Sequence, residues 1–169
     1  MMSHEADGPA VALYLHVPFC RTKCAYCDFT SAPDADSLLP EEGVVWAVRE
    51  LLPADATLAD AYCEAVPLFL DEFATRGLLG NVPSVYVGGG TPTVLGERLP
   101  RLLGRVLELA TLAPDAEVTC EANPDSVDAG LAEKLVAAGV NRFSLGVQSL
   151  DADVLATLGR CHTAEQAEA

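Results

Sequence analysis

The sequence predicts an α/β protein, a parallel sheet with helices on its outer face, curled into a barrel or part-barrel. Three observations predict it. Four segments alternate apolar and polar residues with period two, the segments between them change to helical spacing, and cysteine, glycine, acidic and amide residues gather where the strand-like segments end. Strand, helix, strand repeats imply parallel pairing.

The first predicted strand, Val11 to Val17, places Val11, Leu13, Leu15 and Val17 on one face and Ala12, Tyr14 and His16 on the other. In the second, Ser84 to Gly88, Val85 and Val87 oppose Ser84, Tyr86 and Gly88. The third, Glu117 to Glu121, sets Val118 and Cys120 against Thr119 and Glu121, and the fourth, Arg142 to Gln148, sets Phe143, Leu145 and Val147 against Arg142, Ser144, Gly146 and Gln148. Helices are predicted over Leu58 to Arg76, Leu95 to Ala110 and Ser126 to Ala138, with Gly77 and Gly139 closing the first and last. Helices cover the apolar sheet face, so Tyr14, Glu121, Ser144 and Gln148 are expected to point inward, where they need a ligand or water.

Residues 1–10 read as a polar N-terminal tail and residues 11–169 as a single core. The stretch from Ser31 to Thr57 breaks the rhythm with early acidic residues and Pro33, Pro40 and Pro53, and is expected to be a surface insertion holding a short helical piece around Val44 to Leu51. Thr163 and Gln166 have the spacing of a capping box that opens a helix, yet the sequence ends at Ala169. Four strands do not close a barrel, so the chain is expected to be the N-terminal portion of a longer protein.

The formal net charge is -15 with lysine only at positions 23 and 134, which removes the electrostatic footprint of a nucleic-acid binder. No basic segment leads into an apolar stretch and no apolar run reaches membrane-span length, so a cytoplasmic protein is expected. In a reducing compartment, clustered thiols favour metal or redox chemistry over disulfides.

Cys20, Cys24 and Cys27 form a C-x3-C-x2-C run just beyond the first strand. Three thiolates at this spacing can hold three irons of a four-iron cluster and leave the fourth without a protein ligand. Pro18 before the run and Arg21, Thr22 and Lys23 within it suit an excursion off a strand end better than a buried helix. Phe19, Tyr26 and Phe29 are expected to wall the site, with Arg21 and Lys23 offsetting negative charge. A structural zinc site is the competing reading, with His16 as a fourth ligand, although the paired C-x2-C elements of zinc modules are lacking. Cys63, Cys120 and Cys161 are scattered singly along the chain and are given no role.

Gly88 to Pro92 follows the second strand, where glycines let backbone amides approach a ligand unobstructed. The spacing is neither G-x-G-x-x-G nor a P-loop. Glu121 to Pro124 and Gly146 to Ser149 end the third and fourth strands, offering a carboxylate and a carboxamide to ribose hydroxyls or an amino group.

Together, Tyr14 to Cys20, the cysteine run, Gly88 to Pro92, Glu121 to Pro124 and Gly146 to Ser149 resemble the radical S-adenosylmethionine superfamily, and within it the oxygen-independent coproporphyrinogen III oxidases and their haem chaperone relatives. The resemblance runs from about Val11 to the last residue, apart from the insertion. It implies a partial (βα)6 TIM-like barrel, and a 4Fe-4S cluster on Cys20, Cys24 and Cys27 whose open iron takes the amino and carboxylate groups of S-adenosylmethionine. An electron from the cluster then cleaves a carbon–sulfur bond, giving methionine and a 5'-deoxyadenosyl radical. Tyr14, Tyr26, Gly89, Gly90, Thr91, Glu121, Gln148 and Arg160 resemble the family's contacts to S-adenosylmethionine. The bland alternative for Arg160 is a surface cation after a helix.

Proteins that resemble the decarboxylases carry a further cysteine two positions after the third cluster ligand, where this chain has Phe29. The Cys27-Asp28-Phe29 form resembles the haem chaperone branch, which implies haem or porphyrin, a reducing electron donor and a haem-accepting protein as partners. Oxidative decarboxylation of coproporphyrinogen III is the alternative. A non-catalytic zinc module or an inactive fragment is the alternative from another class.

Overall fold

The alternation of Leu13, Leu15 and Val17 with Tyr14 and His16 produces β1 (Leu13–Val17), whose Leu15 and Val17 are buried while Tyr14 is exposed. A computed structural model describes residues 9–32, 35–39, 48 and 50–168. β2 (Val82–Gly89), β3 (Leu112–Ala122) and β4 (Arg142–Leu145) follow, pairing in parallel in the order β1-β2-β3-β4. Each crossover steps one strand in the same direction, the winding of a TIM-like barrel, so the strands form part of one. The register sets Tyr14 beside Tyr86 and Glu121 beside Ser144, and one inner face carries the expected polar and aromatic side chains.

The outer face is covered by α1 (Leu58–Thr75), α2 (Arg98–Leu109) and α3 (Ala129–Ala137). Leu99, Leu102, Leu103 and Val106 of α2 and Leu131 and Leu135 of α3 pack with Val85, Val87, Val118 and Cys120 in one core cluster. Helix boundaries follow local chemistry. Thr57 caps α1 in a capping box with Asp60, and Arg76 is its C-cap, with Gly77 at φ 71 beyond it. Pro67 lies inside α1 and has no N–H for the Cys63 carbonyl, which instead accepts from Arg105 at 3.5 Å.

The predicted start of α2 at Leu95 is too early. Pro92–Leu95 is a separate 3-10 turn, and Gly96 at φ 54 breaks the chain before α2 begins. The predicted start of α3 at Ser126 is corrected in the same way, because Asp128 accepts from the Leu131 amide as the N-cap. Two short helices complete the order. α4 (Ala152–Leu158), capped by Asp151 and ended by Gly159 in the left-handed region, is the helix that the alternative reading of Arg160 places before it, although no range is predicted for it; α5 (Ala164–Glu168) opens with the expected Thr163 and Gln166 pair.

β4 departs furthest from expectation. It ends at Leu145 rather than Gln148, and Phe143 and Leu145 remain 37% and 44% exposed instead of lying under a helix. The core cluster draws on β1, β2 and β3, and no β4 side chain belongs to it, since α1 to α3 stack over the first three strands. The insertion is also more than an excursion. Leu38 pairs with Thr57, Leu58 N donates to Ser37 O, and Leu39, Val48, Ala56 and Ala61 form a small second core. The helical piece expected around 44–51 lies largely outside the described residues, as do residues 1–8 of the expected tail. Among the described residues, no helix is long and apolar enough to cross a membrane.

Candidate functional site

Pro18 ends β1, and the chain leaves the sheet to return at Ala32. Ala32 N donates to Pro18 O at 2.6 Å and Cys20 N donates to Ala32 O at 3.1 Å, closing residues 20–32 into one loop that carries all three clustered cysteines. The loop is anchored on two sides. Gly90 N donates to Val17 O and Thr91 N to Phe19 O, at 2.8 and 2.6 Å, while Ala25 N donates to Leu158 O at the end of α4 at 3.3 Å.

These bonds explain the glycines differently from the sequence reading. The amides of Gly90 and Thr91 are taken by the entry to the cysteine loop, and Gly89 N donates to Glu121 Oε2 at 3.2 Å, so each of the three amides has a protein partner. Close approach is the requirement. A Cβ on Gly90 would stand 2.3 Å from Phe19 O, and one on Gly89, at φ 106, would stand 2.5 Å from His16 Nδ1.

Above the strand ends a cavity of about 270 Å³ opens between this loop and the sheet. It is lined by Cys20, Cys24, Tyr26 and Cys27 of the loop, by Gly89, Gly90 and Thr91 at the end of β2, and by Glu121, Gln148 and Arg160. Tyr14 does not join them. Its ring stacks on Tyr86 at 5.9 Å, and it borders a separate apolar groove with Leu13, Tyr62 and Phe69. Phe19 is also misplaced in the expected aromatic wall, being buried edge-on against Tyr62 at 5.8 Å, whereas Tyr26 and Phe29 do line the cavity.

Glu121 accepts from Tyr86 Oη at 2.6 Å as well as from Gly89 N, and this hydrogen bond, with burial, raises the Tyr86 phenol. Burial and then the Glu121 charge raise Tyr14 likewise. Gln148 lies beyond β4 at φ 66, a left-handed conformation for a residue with a side chain. The neighbouring Val147 carbonyl accepts from Nε2 of His162, a buried histidine to which the sequence reading gave no part.

Arg160 is no surface cation. Its Nη2 donates to Asn123 Oδ1 at 2.8 Å and to Gly146 O at 2.6 Å, and its Nη1 reaches Cys24 Sγ at 3.4 Å. Asn123 Nδ2 donates to Thr91 Oγ1 at 3.1 Å, and that hydroxyl donates to Cys20 Sγ at 3.7 Å. Asn123 was missed as an individual residue, although the Glu121 to Pro124 motif holding it was visible. Arg21 bonds Asp125 and Lys23 Nζ donates to Phe29 O at 2.5 Å, so both loop cations have protein partners.

The zinc reading finds no geometry here. The His16 nitrogens face Tyr14 Oη and Thr30 O, each at 3.3 Å, and among the described residues no three His, Cys, Asp or Glu side chains converge as ligands of a single ion. Burial pushes the thiols of Cys63 and Cys120 up to about 11 and about 12, as for buried structural cysteines, while Cys161 is exposed with its sulfur 2.8 Å from Thr22 Oγ1.

Residues 66–169 match the family model of the Radical SAM superfamily. The chain belongs to this superfamily. Its members use S-adenosylmethionine together with an iron–sulfur cluster. The chain is similar to heme chaperone HemW of Mycobacterium tuberculosis, 42% identical over 96% of the chain and 37% of that protein. It is also similar to heme chaperone HemW of Escherichia coli, 36% identical over 95% of the chain and 38% of that protein. Among solved structures it resembles coproporphyrinogen III oxidase (HemN) from Escherichia coli, a radical SAM enzyme, with a TM-score of 0.72 and 26% identity over 98% of the chain and 34% of that protein. The chain thus spans little more than a third of these relatives' length.

Proposed function

We propose that Cys20, Cys24 and Cys27 hold a 4Fe-4S cluster and that the adjoining cavity receives S-adenosylmethionine, in a cytoplasmic protein of the haem chaperone type. The observation carrying this reading is that three thiols on one closed loop share a single cavity with Tyr26, Gly89, Gly90, Thr91, Glu121, Gln148 and Arg160. Three cysteine ligands leave one iron open, and a multi-atom cluster suits thiols spread around a cavity better than a lone ion does. When bound, the cluster supplies the electron for reductive cleavage of a carbon–sulfur bond in S-adenosylmethionine.

The protein's own groups bind and orient. Glu121 is held at the cavity wall by Tyr86 and Gly89 N, with its charge available to an amino or hydroxyl group, and Gln148 offers both a donor and an acceptor. Tyr26 and Phe29 bring aromatic surface beside the cysteines. Tyr14 belongs to this reading through Tyr86, on which it stacks.

The haem chaperone reading rests on similarity to the HemW proteins and on Phe29, which stands where resemblance to the decarboxylases would require cysteine. Its partners are haem, a reducing electron donor and a haem-accepting protein. Similarity to HemN favours coproporphyrinogen III oxidation as the second reading. One anaerobic preparation tests both. The expected result is about four irons and four sulfides per chain, an altered spectrum of the reduced cluster on adding S-adenosylmethionine, and retention of haem without conversion of coproporphyrinogen III. Turnover of coproporphyrinogen III would replace the first reading by the second, and bound zinc without iron or sulfide would end both.

A further inference from the structure

The polar side chains behind the cysteines form one connected chain. Arg160 Nη1 touches Cys24 Sγ, Arg160 Nη2 donates to Asn123 Oδ1, Asn123 Nδ2 donates to Thr91 Oγ1, and Thr91 Oγ1 donates to Cys20 Sγ. An amide is the group such a chain needs at its centre. Its oxygen can face the guanidinium while its NH2 fills the acceptor side of the threonine hydroxyl, which turns the hydroxyl proton toward sulfur. A carboxylate could satisfy the arginine but would capture the threonine proton.

The fold is shaped around this arrangement. Asn123 stands just past the end of β3 and Arg160 just past α4, and they meet at Gly146, where a Cβ would lie 2.6 Å from Asn123 Oδ1 and 3.2 Å from Arg160 Nη2. Arg160 Nε is buried without a partner, so the guanidinium is held by its two Nη atoms alone. The other cations of the loop are engaged elsewhere, Arg21 by Asp125 and Lys23 by the Phe29 carbonyl.

We infer that Asn123 is a positioning residue that couples Arg160 and Thr91 into one outer shell for the Cys24 and Cys20 thiolates and thereby sets the reduction potential of the site. This rests on the cluster reading above and gives Thr91 and Arg160 a task separate from the nucleotide contacts that the family resemblance implies. Hydrogen bonds and positive charge at cysteine sulfur stabilise the more negative, reduced state, so they raise the potential.

The test is the midpoint potential of the anaerobically purified protein, followed by electron paramagnetic resonance during redox titration without added nucleotide. Thr91→Val, Asn123→Asp and Arg160→Gln are expected to lower the potential, whereas Thr91→Ser and Arg160→Lys keep it near the starting value. Because Asn123 acts on Cys20 through Thr91, adding Thr91→Val to Asn123→Asp should lower it little further. Should Arg160→Gln fail to load iron, the near-isosteric changes at 91 and 123 carry the test. Unchanged potentials in cluster-bearing variants, or fully additive shifts, overturn the inference and leave the cluster reading standing. A parent protein without iron and sulfide overturns the cluster reading itself.

Discussion

Single residues in this molecule often do two structural jobs. Asp60 completes the capping box of α1 through Thr57 and also accepts from Arg98 Nε of α2 at 2.7 Å, which joins the two helices. The hydrogen bond from Arg98, aided by those from Thr57, holds its carboxyl down at about 2, against burial acting the other way. A carboxylate whose folded value is depressed adds stability that is present above the unfolded value of 3.8 and lost as pH falls through about 2. Asp60→Asn is therefore expected to flatten the acid dependence of stability in that window, measured by urea unfolding at stepped pH. An equally steep acid limb in the variant would show that other carboxylates supply it.

At the scale of elements, two glycines separate the needs of a site from those of a helix. Gly104 lies inside α2 with nothing within 4 Å of an added Cβ, so Gly104→Ala is expected to stabilise the protein by about 0.5–1 kcal/mol. Gly90 follows β2 directly and lies against the cysteine loop, where the obstacle to a Cβ is backbone at 2.3 Å. Gly90→Ala is expected to cost about 1–3 kcal/mol, the range for overpacking, and to impair iron loading by moving Phe19 and Cys20. Thermal denaturation and iron content compare the pair directly; a Gly90→Ala protein as stable and as iron-rich as its parent would contradict the close-approach account.

For the whole molecule, the open question of solution behaviour lies at the β4 side of the sheet. Phe143 and Leu145 on the edge strand β4 are 37% and 44% exposed, and Leu150 and Val154 beyond it 53% and 45%. Such an edge favours association, while the net charge of -15 opposes it. Self-association of the 169-residue chain is therefore expected to grow with concentration and with added salt, and Phe143→Lys to reduce it, as followed by sedimentation velocity. A monomer at every salt concentration would show that the edge is protected.

Read alone, the sequence determined the parallel α/β class, the inner and outer faces of β1 to β3, the cysteine run and the motifs at the strand ends, because period and spacing are local properties of a chain. It did not reveal where β4 and α2 stop and start, since Gly96 and the left-handed Gln148 act through backbone geometry. Nor did it show which motif residues meet. Tyr14 turned to Tyr86, Phe19 into the core, and Asn123 and Arg160 came together across 37 positions of sequence. Tertiary structure decided those, because contacts between strand ends depend on register and on which backbones approach closely enough to exclude a Cβ.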